Sequence, residues 1–102
     1  MKPAERYVWI ECYLKELSKY SQTSVDILDA DFVGEYISAT GAKWSPGLIG
    51  APFCSQLPRD LLAMHRDGIL KRHRSGLWSM AGMGFPRWVW VYRLSDAQGE
   101  KS

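Results

Sequence analysis

The chain has 102 residues, of which 46% are hydrophobic and 24% charged, and its net charge is only +2. This length suits one domain and leaves no room for two, and the composition is that of a globular protein. No apolar run approaches the roughly 20 residues of a membrane span. The N-terminal MKPAERYVW is charged where a signal peptide has its apolar region, so we expect a soluble, cytoplasmic protein that contacts no membrane.

The first predicted element is a helix over residues 3–20. Pro3 suits its first turn, and one face carries apolar residues at three- and four-residue spacing: Tyr7, Ile10, Leu14 and Leu17. The following VDIL, residues 25–28, alternates enough for a short strand. Asp29 then predicts the N-cap of a second helix over residues 30–40, and Gly41 is well placed to end that helix.

Residues 41–54, GAKWSPGLIGAPFC, contain three Gly and two Pro, which argue against a long regular element. Large apolar side chains in the same stretch argue against a disordered linker. We therefore expect an ordered, apolar loop in which Trp44 or Phe53 is at least half buried against the second helix. Loops of this length in compact domains are often functional.

A third helix is predicted over residues 56–67, with Ser55 as its N-cap and Pro58 in its first turn. Gly68 can end it in the left-handed conformation. Residues 69–77 and 87–94 then read as two strands of a β-hairpin. The second strand alternates cleanly, with one face formed by Trp88, Trp90, Tyr92 and Leu94.

The third helix ending in LLAMHRDGIL, the basic strand KRHRSG and the returning strand that closes on VYRL resemble a winged helix-turn-helix domain. The resemblance covers residues 3–95 and is most specific over residues 57–94. It implies an α+β fold with three helices, a short strand and a C-terminal β-hairpin wing. The winged-helix domain would span residues 1–95 and be followed by a disordered polar tail over residues 96–102. In that superfamily the last helix is the recognition helix.

Positive charge is concentrated in the part of the chain that carries this resemblance. Residues 55–94 hold seven Lys or Arg and two acidic residues, whereas residues 1–54 hold five Lys or Arg and seven acidic residues. Such a split suggests an anionic partner, although a solvated face without a partner has the same composition. The resemblance implies duplex DNA, bound by a transcriptional regulator acting alone or as a homodimer.

The candidate contacts to DNA divide into two kinds. Gln and Arg side chains can read base edges, so the start of the third helix supplies the base-reading candidates Ser55, Gln56 and Arg59. Lysine and arginine contacts to phosphate position a protein without reading sequence. The candidates for that role are Lys43, Arg66, Lys71, Arg72, Arg74 and Arg87.

The rival hypothesis is a protein-interaction module on the same fold. The loop at residues 41–54 is longer than the turn that joins the last two helices of a helix-turn-helix unit. The wing tip, residues 78–86, contains no Arg or Lys. This module would use both apolar segments, and its candidate interface residues are Trp44, Trp78 and Phe85. Trp9 and Trp90 are expected in the core.

We expect no catalytic site, cofactor or small-molecule substrate, because none of the common catalytic or nucleotide-binding motifs occurs. His65 and His73 are eight residues apart without further ligands at suitable spacing, so we expect no metal site. Cys12 and Cys54 lack a CxxC spacing and are expected to be small hydrophobic residues.

Overall fold

The computed structural model describes residues 1–47, 51–76 and 88–95. In chain order the elements are α1 (Pro3–Ser18), β1 (Ser24–Val25), α2 (Ala30–Thr40), α3 (Gln56–Arg66), β2 (Leu70–Gly76) and β3 (Trp88–Leu94). The strands form one antiparallel sheet in the order β1-β3-β2. The predicted α+β architecture of three helices, a short strand and a C-terminal hairpin is therefore confirmed. The polar tail at residues 96–102 lies outside the described residues.

Three of the four predicted helix-end signals, Asp29, Gly41 and Gly68, act as expected, and the fourth, Ser55, does so in position only. The Asp29 side chain accepts a hydrogen bond from the backbone N–H of Phe32 at 3.1 Å. Gly41 and Gly68 have φ angles of 71° and 82°, the left-handed conformation that ends a helix without a Cβ clash. Ser55 occupies the N-cap position of α3 as predicted, but its side chain makes no capping hydrogen bond.

The absence of a side-chain hydrogen bond from Ser55 has a simple cause. An N-cap side chain accepts from the backbone N–H two or three residues into the helix, and the N-cap residue itself is usually extended. Pro58 occupies the third helical position of α3 and has no N–H to donate. Ser55 also has helical backbone angles, so its side chain is not aimed at the first turn.

The core lies between the three helices and one face of the sheet. Its largest fully buried side chains come from α1, α2, α3 and β2: Ile10, Leu14, Phe32, Val33, Tyr36, Leu57, Leu61, Met64 and Leu70. Trp9 and Trp90, both expected in the core, are partly buried and pack against it. The Trp9 ring centroid lies 5.9 Å from that of Tyr36, in an edge-to-face arrangement that joins α1 to α2.

Among the residues that the structure describes, one charged side chain is buried in this apolar interior, that of Asp60 on α3. Arg6 on α1 binds the carboxylate with two hydrogen bonds, Nε to Oδ2 at 2.7 Å and Nη2 to Oδ1 at 3.1 Å. The Tyr36 hydroxyl on α2 donates to Oδ2 at 2.5 Å, and the Gln56 amide donates to the Tyr36 oxygen at 2.9 Å. The network therefore ties all three helices together at the start of α3.

The network changes the acid–base properties of its members. The hydrogen bond to Asp60 raises the pKa of the Arg6 guanidinium above its usual value, against the opposing effect of burial. Burial, followed by the hydrogen bond to Asp60, raises the pKa of the Tyr36 hydroxyl. Both shifts favour the protonated forms that donate to the carboxylate.

Removing the Asp60 carboxylate should lower the free energy of unfolding far more than removing an exposed carboxylate. Asp60→Ala leaves Arg6 and Tyr36 without their acceptor, and breaking a buried ion pair in this way costs about 3–5 kcal/mol. Glu11→Ala is the matched control, since Glu11 forms an exposed i,i+4 pair with Lys15 at 3.5 Å and such pairs contribute about 0.2–0.5 kcal/mol. Urea unfolding measures both. A loss below about 1 kcal/mol for Asp60→Ala would contradict the structural role of the network.

Stability should also fall at alkaline pH because of Tyr36. Its pKa is raised in the folded state, so the contribution is fully present below the ordinary tyrosine pKa of about 10. As pH rises above that value, the unfolded chain loses the proton while the folded chain keeps it, and the free energy of unfolding falls. Tyr36→Phe should reduce this slope by up to about 1.4 kcal/mol per pH unit.

Tyr20→Phe is the control for that measurement, because Tyr20 is 76% exposed. It should leave the slope above pH 10 unchanged. Some alkaline slope remains in the Tyr36→Phe variant, since burial also raises the pKa of Tyr13. Equal slopes for the wild-type and Tyr36→Phe proteins would refute the assignment.

Candidate nucleic-acid interface

A cleft of about 490 Å³ opens where α1 begins, α2 ends and α3 begins. Its lining includes all three predicted base-reading residues, Ser55, Gln56 and Arg59. Lys43, one of the predicted phosphate contacts, lies in the same lining. Ser55, Arg59 and Lys43 are exposed, whereas Gln56 is partly buried by its hydrogen bond to Tyr36. The cleft therefore brings the three candidate base readers and one candidate phosphate contact together at the start of α3.

The long connection between α2 and α3 does not separate the ends of these two helices. Ser45 and Phe53 form an antiparallel bridge, with N–H to O distances of 2.9 Å and 2.7 Å. The bridge therefore brings the two sides of this connection together close to the start of α3. A Cβ at Gly47 would collide with the carbonyl oxygen of Ala51, so glycine is needed for this close approach.

The side chains of Trp44 and Phe53 are exposed, against expectation. Trp44 is 57% exposed and Phe53 is 63% exposed, so the prediction that one of them is at least half buried is wrong. The packing is carried instead by the small residues Ala42, Ala51 and Cys54, all buried. Successive residues of extended backbone face opposite sides, so the inward Cys54 leaves Phe53 facing outward.

Two arginines and two tryptophans form a second cluster on the hairpin, which we call the Arg–Trp face: Arg72, Arg74, Trp88 and Trp90. The register pairs Arg74 with Trp90 and Gly76 with Trp88, which puts all four side chains on the same side of the sheet. The Arg72 Cζ lies 3.9 Å from the Trp90 ring centroid. The Arg74 Cζ lies 4.8 Å from the centroid of Trp88 and 5.7 Å from that of Trp90. Each guanidinium therefore makes a cation–π contact.

The exposure of the four side chains differs along this face. Trp88 is 40% exposed, and its ring meets that of Trp90 edge-on with centroids 5.2 Å apart. Arg74 is exposed, while Arg72 and Trp90 are partly buried. The predicted alternation of β3 is confirmed, but no role for its tryptophans beside Arg72 and Arg74 was predicted. Arg72 and Arg74 are two residues apart, as are Trp88 and Trp90, so the strand register places the two pairs on one side of the sheet. This spacing is the sequence signal that could have identified the contacts.

The other predicted phosphate contacts lie elsewhere. Lys71 is exposed on the opposite side of the hairpin from Arg72, and Arg66 is exposed at the end of α3. Arg87, Trp78, Phe85 and the wing tip at residues 78–86 lie outside the described residues. The predicted phosphate contacts that the structure describes are thus spread over the cleft, the end of α3 and both sides of the hairpin.

The two histidines lie in different surroundings. His65 Nδ1 donates to the carbonyl oxygen of Leu70 at 3.1 Å, which holds the end of α3 against the start of β2. His73 is exposed on the same side of the hairpin as Lys71. Within residues 1–47, 51–76 and 88–95, no group of three or more His, Cys, Asp or Glu side chains is arranged to hold a metal ion.

Comparison of the chain with protein-family models, with curated proteins and with solved structures gave no match. Among the described residues, no helix has the length and apolar character needed to cross a membrane.

The cation–π contact should appear as a coupling free energy. In a double-mutant cycle of Arg72→Ala and Trp90→Leu, we expect a coupling of about 0.5–1 kcal/mol from urea unfolding. The control cycle combines Lys71→Ala with Trp90→Leu. Lys71→Ala removes a cation from the neighbouring position, whose side chain lies on the opposite side of the strand. That cycle should show no coupling to Trp90. Equal couplings in both cycles would contradict a specific contact.

Proposed function

We propose that this protein is a winged-helix protein that binds duplex DNA as a cytoplasmic transcriptional regulator. The order of elements and the β1-β3-β2 sheet agree with the winged-helix resemblance. The observation that carries the proposal is the cleft at the start of α3, where Ser55, Gln56 and Arg59 meet Lys43. Closure of the α2–α3 connection by the Ser45–Phe53 bridge adds support, because the ends of both helices line that cleft.

α3 has the two faces that a recognition helix needs. Leu57, Leu61 and Met64 are fully buried, whereas Arg59 and Arg66 are exposed, seven residues apart and therefore on one face. The major groove is about 12 Å wide and admits an α-helix. Arg59 can make a bidentate contact to guanine there, while Lys43, Arg72 and Arg74 supply phosphate contacts on either side of the helix in sequence.

Gln56 is a weaker base reader than Arg59. An amide side chain has two N–H donors and one acceptor oxygen, and a bidentate contact to adenine uses one of each. One donor of Gln56 is already bound to the Tyr36 hydroxyl. We therefore assign Gln56 a double role, in which it supports the start of α3 and offers its remaining amide atoms to a base.

Two variants at the cleft should separate the two kinds of contact. Lys43→Ala should weaken all duplexes alike and flatten the slope of log K against log salt by about 0.9. Arg59→Ala should cost about 1–3 kcal/mol on the preferred sequence and little on others. Fluorescence anisotropy with labelled duplexes, first random and then selected, measures both quantities over a range of salt concentrations.

The control for these variants is Lys19→Ala, at an exposed position just beyond α1 that pairs with Glu16 at 3.3 Å. It removes the same charge outside the proposed interface and should leave the salt slope unchanged. If the wild-type protein fails to bind any duplex at low salt and micromolar concentration, the DNA-binding proposal is refuted.

The exposure of Trp44 and Phe53 favours a second function, protein interaction through the 41–54 loop. Tryptophan is enriched among the residues that dominate interface energies. If this loop joins two copies of the chain, the double variant Trp44→Ser, Phe53→Ser should lower the dimer fraction in analytical ultracentrifugation. The same variant should keep its duplex affinity, because neither residue lines the cleft. An unchanged monomer–dimer equilibrium excludes the loop as the homodimer contact.

A further inference from the structure

The Arg–Trp face carries positive charge that is not neutralised within the described structure. The three ion pairs found among residues 1–47, 51–76 and 88–95 join Arg6 to Asp60, Lys15 to Glu11 and Lys19 to Glu16. Arg72 and Arg74 contact indole rings instead of carboxylates. A guanidinium stacked on an aromatic ring keeps its N–H edge, and its second face, available to another group.

These features match what an unpaired nucleotide needs from a protein. Bases released from a duplex stack on aromatic side chains or on arginine guanidinium planes, while their phosphates are drawn to positive charge. Trp88 offers an indole that is 40% exposed, and the exposed Arg74 lies 4.8 Å from its centroid. Arg72 over Trp90 repeats the arrangement one step along the hairpin, at 3.9 Å. The face thus presents two neighbouring platforms, each with its own cation.

A duplex cannot use this arrangement fully. Inside a double helix the faces of the bases are covered by their neighbours, so only phosphates and groove edges are accessible to a protein. The carboxylates of an acidic protein segment would satisfy the charge of Arg72 and Arg74, but they would not stack on the ring of Trp88 as a base does. Planar groups together with negative charge are the combination that single-stranded nucleic acid provides.

We propose that the Arg–Trp face binds single-stranded nucleic acid by stacking unpaired bases on Trp88 and on the guanidinium groups of Arg72 and Arg74. This activity goes beyond the proposed duplex binding, because a strand without a complement has no groove for α3. The two activities share Arg72 and Arg74, and Trp88 distinguishes them.

The decisive experiment compares two oligonucleotides that carry equal charge. One is a labelled strand of about ten thymidines, within the site sizes known for single-strand binding proteins. The other is a strand of the same length in which every base is missing. Base stacking should make the wild-type protein bind the thymidine strand about 5- to 100-fold more tightly. Equal affinities mean that only phosphates are contacted, and this would overturn the proposal.

Variants then locate the preference on the molecule. Trp88→Leu and Arg74→Ala should each lower the ratio of thymidine to abasic affinity by about fivefold or more. Lys71→Ala is the matched control, since it removes one cation from the other side of β2 and should weaken both strands equally. Trp88→Phe keeps an aromatic ring and should retain most of the ratio, which separates stacking from a general effect on the hairpin. A ratio that survives both Trp88→Leu and Arg74→Ala would overturn the assignment to this face.

Parallel titration with a duplex of the same length separates this proposal from the first. Duplex binding without a preference for thymidine over abasic strands refutes single-strand stacking and leaves the proposed duplex function intact. A thymidine preference without duplex binding refutes the duplex function and supports the Arg–Trp face. Binding of polyglutamate with neither nucleic acid bound identifies an acidic protein as the partner and overturns both.

Discussion

A buried carboxylate at Asp60 determines how the three helices are arranged. A charge in an apolar interior is tolerated only when it is paired and hydrogen-bonded, and Asp60 receives both from Arg6 and Tyr36. Since these partners lie on α1 and α2, the pairing constrains the rotation of α3 about its own axis. With Asp60 facing inward beside Leu57, Leu61 and Met64, the side chains of Arg59 and Arg66 are left facing out. The character of the exposed surface of α3 therefore follows from an interaction inside the core.

On the hairpin, the charged side chains of Arg72 and Arg74 are positioned in a different way. Arg72 and Arg74 contact aromatic rings on the neighbouring strand, at distances of 3.9 Å and 4.8 Å, and form no ion pair with an acidic residue of the described structure. An acidic partner would neutralise a guanidinium, whereas an indole orients it and leaves its charge in place. The positive potential of Arg72 and Arg74 therefore stays at the surface of the hairpin.

Local signals in the sequence were sufficient to predict the elements and insufficient to predict their contacts. The α2 boundaries and the pairing of the last two strands follow from Asp29, Gly41 and strict alternation, which act within a few residues. Arg6 and Asp60 are 54 residues apart, so only the placement of an acid on the apolar face of α3 hinted at a buried pair. The prediction for Trp44 and Phe53 was wrong because large apolar residues usually pack, whereas in this loop both are exposed and the small Ala42 and Ala51 are buried instead. The missing capping bond at Ser55 could have been predicted, because Pro58 has no backbone N–H to donate.

The position of β3 in the middle of the sheet has a consequence for protein synthesis. β1 pairs with β3 through Ser24–Arg93 and Val25–Tyr92, although these residues are separated by about two thirds of the 102-residue chain. During translation the helices and the Arg6–Asp60 pair can form once α3 has left the ribosome, but β1 and β2 must wait for the strand that lies between them. A nascent chain halted before residue 88 leaves two open strand edges and an uncovered core where Tyr92 belongs. Such a product is open to proteolysis, so only a chain translated through its last strand gains the protection of a complete fold.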